Sequence, residues 1–169
     1  MEMDVSRFSD VFDVRILRED DIPEIYQLCS KNELYYRYCP PFVSMDSLRD
    51  DMQALPPGRE KKDKYYVGYY EQGKLIAVMD FINGFPDSRT AFIGFFMTAK
   101  ERQNRNLGTK IISDLCTYLK ESCFQEVRLG WVKGNPQAEN FWHKNRFVET
   151  GVTYDTDGYT VIVAHRILK

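Results

Sequence analysis

Gln103-Asn104-Arg105-Asn106-Leu107-Gly108 is a polar turn placed where an anion would bind. Ahead of it runs Ala91-Phe92-Ile93-Gly94-Phe95-Phe96-Met97, apolar and aromatic, which reads as a buried strand. Behind it Leu107, Ile111, Ile112, Leu115, Cys116 and Leu119 recur at helical spacing, predicting an amphipathic helix over Leu107 to Lys120. A turn that leaves a strand and opens a helix presents the helix's first, unpaired N–H groups to solvent. Those donors, reaching to Thr109, and the positive end of the helix dipole suit a phosphate or pyrophosphate.

Downstream, Asn135-Pro136-Gln137-Ala138-Glu139-Asn140-Phe141-Trp142-His143-Lys144-Asn145-Arg146-Phe147 follows a predicted strand, Glu126 to Val132, and opens a short predicted helix, Ala138 to Asn145. The Asn135 carboxamide offers both a donor and an acceptor to an amide-bearing ligand. Ala138 allows close approach, Phe141 and Trp142 supply apolar wall, and Lys144 is long enough to reach a phosphate. Phe147 reads as core, and His143 as surface.

These two segments, in this order and setting, resemble the GNAT superfamily of acyl-CoA-dependent N-acetyltransferases, over nearly the whole chain. The family's pyrophosphate loop, (Arg/Gln)-x-x-Gly-x-(Gly/Ala), is matched by Gln103, Asn106 and Gly108, and its Asn-x-x-Ala-x-x-(Leu/Phe)-(Tyr/Trp)-x-Lys-x-Gly-Phe by Asn135 to Phe147. Asparagine replaces glycine at Asn106, and also at Asn104, where many members carry glycine; Arg146 replaces a third. Asparagine is the side-chain-bearing residue that best tolerates left-handed backbone, so the loop's trace is expected to survive. The resemblance implies acetyl-CoA as cofactor, with CoA as product, and a fourth strand that is bulged and splayed from the fifth. Phe96, Met97 and Thr98 would then show backbone groups to pantetheine, and an N–H near Met97 or Thr98 would polarise the thioester carbonyl. Gln103 to Thr109, Asn135, Trp142 and Lys144 would complete the cofactor site.

Acetyl transfer to an amine also needs a base and a protonated leaving thiolate. The fourth strand holds no carboxylate, although many relatives use a Glu there. Asp80, on the preceding strand, is the nearest candidate base, and an ordinary polar residue on a sheet face is the other reading; Glu33 is a further carboxylate. Trp142 stands where many relatives use a tyrosine as acid, and an indole N–H is no acid. Glu33, Tyr35, Tyr36 and Tyr38 lie where the family builds its acceptor pocket. Aromatic faces attract ammonium groups by about 0.5–2 kcal/mol each, which suits a cationic amine; a tyrosine lid over the core is the alternative.

The elements that must hold these residues follow from periodicity. Phe12, Val14 and Ile16 alternate in a first strand; Asp21-Ile22-Pro23-Glu24 resembles a capping box before a helix to Ser30; Ser44 caps a helix over Met45 to Ala54. Between these helices Pro40-Pro41 predicts an irregular tyrosine segment. Tyr65 to Tyr70 and Leu75 to Ile82 form a hairpin, as do Phe147 to Thr153 and Tyr159 to Leu168. The order predicts one mixed α/β domain, residues 1–169, with a mixed sheet covered by helices on both faces; the resemblance implies that this sheet is mostly antiparallel with a splayed parallel pair.

A net charge of −2 leaves no footprint for nucleic acid, and no apolar run resembles a signal peptide or a membrane span. Cys29, Cys39, Cys116 and Cys123 form no CxxC pair, so reduced thiols in a cytoplasmic protein and no metal site are expected. The exposed terminal hairpin makes a homodimer plausible. The expected function is acetyl transfer from acetyl-CoA to a small-molecule amine. A protein lysine or amino terminus as acceptor, and a CoA-binding sensor or scaffold with little turnover, stay open.

Overall fold

The computed structural model describes residues 1–169. Its strands are β1 (Asp13–Ile16), β2 (Lys64–Glu71), β3 (Lys74–Asn83), β4 (Thr90–Thr98), β5 (Glu126–Val132), β6 (Val148–Thr156) and β7 (Tyr159–Ile167). Its helices are α1 (Ile22–Cys29), α2 (Glu33–Tyr38), α3 (Met45–Gln53), α4 (Leu107–Glu121) and α5 (Pro136–Lys144). The seven strands form one sheet in the order β1-β2-β3-β4-β5-β7-β6. Only β4 and β5 run parallel, because α4 carries the chain back across the sheet between them. This is the mixed α/β architecture that the strand and helix periodicities predict.

Alternation along the strands feeds two cores, one on each face. Met79, Phe81 and Ile93 turn toward α4, where Ile111, Ile112 and Leu115 are fully buried, together with Phe8 from the amino-terminal segment. Val78 and Met97 turn the other way, toward Ile22, Ile25 and Leu28 of α1 and Leu48 of α3. Burying each such side chain stabilises the fold by about 1.5–3 kcal/mol, so the sheet's position under α4 is strongly fixed.

Two local expectations are corrected. Asp21 does not cap α1: its carboxylate accepts from Arg15 at 3.0 and 3.2 Å and from the Arg18 N–H at 2.8 Å. The tyrosine segment is not irregular but helical as α2, with Cys39 as its C-cap. Pro40 restricts only the residue before it and those after, which leaves six helical residues upstream untouched. Ser44 caps α3 as expected, its Oγ accepting from the Ser47 N–H at 3.0 Å. No helix is long and apolar enough to cross a membrane.

Candidate active site

β4 and β5 pair from Thr90 and Glu126 to Ile93 and Leu129, and then diverge. A glycine stands at the divergence on each strand, Gly94 and Gly130. Gly94 is the extra residue of a bulge, since Asp80 opposes Phe95 while Phe81 opposes Ile93. Crowding explains both glycines: a Cβ on Gly94 would stand 2.7 Å from Asp80 Oδ2, and one on Gly130 2.6 Å from Val161 Cγ1. The divergence opens into a cavity of about 1030 Å³ whose wall includes residues of α4 and α5 on one face of the sheet and of α2 on the other.

Pairing along β4 decides which backbone groups face this opening. The Ala99 N–H donates to the Ile76 carbonyl at 2.8 Å, so Thr98, opposite Ala77, belongs to a non-hydrogen-bonded pair. Thr98 and, two residues earlier, Phe96 therefore turn their N–H and C=O away from β3 and toward the opening. Met97 lines the cavity, but its backbone groups do not face the opening as expected: they pair with Val78 of β3, and its side chain packs in the core under α1. The Thr98 carbonyl is already engaged, accepting from Asn32 Nδ2 at 3.3 Å and Gln103 Nε2 at 3.2 Å.

The polar turn ends at α4 with both asparagines in left-handed backbone, Asn104 at φ 62° and Asn106 at φ 60°. Asn106 occupies the N-cap without capping; its Oδ1 instead accepts from Lys144 Nζ at 3.1 Å, which draws the side chain toward α5. The first bond that α4 makes runs from the Lys110 N–H to the Asn106 carbonyl at 3.0 Å. The N–H groups of Leu107, Gly108 and Thr109 thus make none within the chain, and all three residues line the cavity. Gln103, Asn104 and Asn106 line it too, whereas Arg105 is exposed outside its wall.

On α5, Asn135 spends its Oδ1 on capping the helix, accepting from the Ala138 N–H at 3.3 Å, and keeps its Nδ2 donors. Trp142 is nearly buried among Phe96, Phe141 and Phe147, at ring separations of 6.0, 4.8 and 5.1 Å. Asn145 binds α5 to the first turn of α4, its Nδ2 donating to Phe141 O at 2.8 Å and Thr109 Oγ1 at 3.3 Å. A diphosphate group thus has free donors at α4, and an amide-bearing arm has Phe96, Thr98 and Asn135 beside an aromatic wall.

The sequence profile of the acetyltransferase (GNAT) family matches residues 24–147, spanning both segments. The chain belongs to this family. Solved GNAT acetyltransferases share its fold. An acetyltransferase from Thermus thermophilus superposes with a TM-score of 0.75 at 16% identity, covering 94% of this chain and 97% of that one. The Salmonella typhimurium acetyl transferase that modifies the N-terminal serine of the 50S protein L7/L12 gives 0.74 at 17% identity, covering 96% and 98%. The PaiA N-acetyltransferase of Thermoplasma acidophilum, solved with coenzyme A, gives 0.66 at 16%, covering 92% and 98%. No curated protein sequence matches the chain.

Across the sheet from the GNAT loop, Glu33, Leu34, Tyr35 and Cys39 line the cavity, and Glu33 is the only carboxylate in its wall. Tyr35 packs edge-on against Phe95 at 5.7 Å. Tyr36 and Tyr38 depart from expectation and lie outside the wall, Tyr36 packing against Tyr35 at 4.9 Å and Phe42 at 5.3 Å. Helical geometry is the reason, because neighbouring side chains on α2 diverge by about 100°. Cys39 Sγ and Tyr159 Oη meet at 3.5 Å between α2 and the start of β7, and both residues line the cavity. That hydrogen bond, together with burial, raises the Tyr159 hydroxyl above the usual tyrosine range. Asp80 stands behind Gly94 rather than in the wall. Its Oδ2 accepts from Lys64 Nζ at 2.9 Å and its Oδ1 has no partner. Burial pushes the Asp80 carboxyl up, and Lys64 works against that. Cys39, Tyr159, Asn145 and Asn32 carried no local signal in the sequence; each joins the site through a contact between separate elements.

Proposed function

We propose that this protein transfers the acetyl group of acetyl-CoA to a primary amine of a small molecule, by direct attack while both are bound. The observation that carries this reading is the meeting of two unlike half-sites at the β4–β5 opening. On the α4–α5 face stand the free N–H groups of Leu107, Gly108 and Thr109. On the α2 face stand Glu33 and Tyr35.

The free donors of α4 fit a pyrophosphate, and its dipole contributes about 0.3–1 kcal/mol more. Lys144, held 3.1 Å from Asn106 Oδ1, is within reach of the same anion. The Phe96 and Thr98 N–H groups orient the pantetheine amide and polarise the acyl carbonyl. When bound, acetyl-CoA supplies an activated acyl group, so that a C–N bond forms as a C–S bond breaks, and the CoA thiolate leaves to take a proton from water. Glu33 and the Tyr35 ring draw in the cationic amine.

Asp80 is the base assigned here. From behind Gly94, whose absent side chain lets Asp80 Oδ2 pack against the β4 backbone, it takes the amine's proton by way of water, and its raised carboxyl suits proton uptake better than an ordinary aspartate. The Cys39–Tyr159 contact narrows the acceptor side, which favours a small amine over a folded protein chain. A protein amino terminus is the second reading, supported by the activity named for the Salmonella relative.

The test is thiol release from acetyl-CoA across polyamines, aminoglycosides, amino acids and lysine peptides. Release with a small amine is expected, and Asp80→Asn should lower it by about 100-fold or more while CoA still binds. Unchanged turnover removes Asp80 as base. CoA binding without release for any amine would leave a CoA-binding scaffold.

A further inference from the structure

Asn32 is buried between α1 and α2, and its carboxamide joins three segments. Nδ2 donates to the Leu28 carbonyl at 3.1 Å, in the last turn of α1, and to the Thr98 carbonyl at 3.3 Å, at the end of β4. Oδ1 accepts from Gln103 Nε2 at 2.5 Å. The two carbonyls fix which end of the amide is which, since Oδ1 in that place would face lone pairs. Gln103 is the first residue of the loop before α4, and its Nε2 also reaches the Thr98 carbonyl. The residue after Asn32 is Glu33, where α2 begins.

α2 has six residues and no side-chain cap at its amino end, far below what a helix needs to stand alone. Its placement therefore depends on the Asn32 anchor and on Tyr35 and Tyr36. We propose that Asn32 is a positioning residue that couples the cofactor loop to the acceptor helix. A filled loop holds Gln103 against Asn32 and Thr98, which fixes Glu33 and Tyr35 in the cavity wall. The acceptor then binds better once CoA is in place, and by linkage an acceptor tightens CoA by the same factor. The coupling rests on reading the α4 terminus as the pyrophosphate site.

Hydrogen exchange of the amides of residues 33–39, with and without CoA, tests it. CoA should slow exchange in α2 of the wild type by about fivefold or more, within the usual range of such couplings. Gln103→Ala leaves Asn32 anchored to Leu28 and Thr98 but cuts its link to the loop, so α2 should start as protected as in the wild type and lose the CoA-dependent increment even at CoA concentrations that saturate the variant. Asn32→Ala should lose the increment as well and raise the acceptor KM more than it lowers kcat. The double variant should be no worse than the more affected single one. An unchanged α2 in wild type that binds CoA, or a full increment in Gln103→Ala, refutes the coupling alone. Failure of the wild type to bind CoA refutes the cofactor site and the coupling with it.

Discussion

Gly108→Ala perturbs the junction of α4 and α5 by a single methyl group. The family's loop accepts alanine at this position, but here a Cβ would stand 2.8 and 2.9 Å from two carbons of the Phe141 ring and 3.6 Å from Phe96. Carbon atoms in contact settle near 3.5–4.0 Å, so the ring must retreat by about 0.7 Å. Trp142, 4.8 Å from Phe141 between ring centroids, and Phe96, at 6.1 Å, stand in its way. Overpacking of this kind costs about 1–3 kcal/mol. Alanine returns up to about 1 kcal/mol through its better helix propensity. The net loss is up to about 2 kcal/mol, which lowers Tm by up to roughly 8 °C in a domain of this size. Thermal unfolding reads the loss, and calorimetric titration should show weaker CoA binding because the displaced ring moves into the cavity. Phe141→Leu should shrink the alanine penalty when the two are combined. A Gly108→Ala protein as stable as wild type with the same CoA affinity would refute the packing argument.

Other predictions follow from single contacts. Asn106→Gly removes a left-handed side chain and releases Lys144, so it should bind CoA at least as tightly by titration; a large loss would mean that the Asn106 side chain touches the cofactor. Tyr159→Ala opens the contact with Cys39 and should raise kcat/KM for bulky amines more than for small ones, and an equal change for both would remove Tyr159 from acceptor selection. Burial works to raise the Glu126 carboxyl, but hydrogen bonds from His165 at 2.7 Å and Arg128 at 2.9 Å outweigh it and hold the group below its ordinary range. A depressed carboxyl contributes stability that is fully present above its unfolded value and is lost as pH falls through the folded one. Glu126→Gln should thus destabilise by about 1–3 kcal/mol at neutral pH, with the gap closing below about pH 4. Urea unfolding at both pH values checks this, and a constant gap would contradict it.

The α4–α5 half of the candidate site was legible because it is local. The loop before α4 and its asparagines in left-handed backbone are set by residues a few positions apart. The α2 half was read less well because it is assembled at long range. Cys39 meets Tyr159 across 120 residues, and Asn32 meets Gln103 across 71. Tyrosine-rich composition pointed to a segment that does border the cavity, yet which ring enters it depends on α2 being helical, and Pro40-Pro41 concealed that. Asp21 looked like a cap because its sequence context fits one, while Arg15, on a neighbouring strand, takes its carboxylate. The splay of β4 from β5 left a glycine on each strand, Gly94 and Gly130, whose need for glycine shows only when Asp80 and Val161 lie against them.

The central claim is that the amino end of α4 holds the diphosphate of CoA. Calorimetric titration of the protein with CoA and with pantetheine, which lacks the nucleotide diphosphate, tests it most directly. CoA should bind at least about tenfold more tightly, a difference of about 1.4 kcal/mol. Equal affinities, or no binding of CoA, would contradict the assignment.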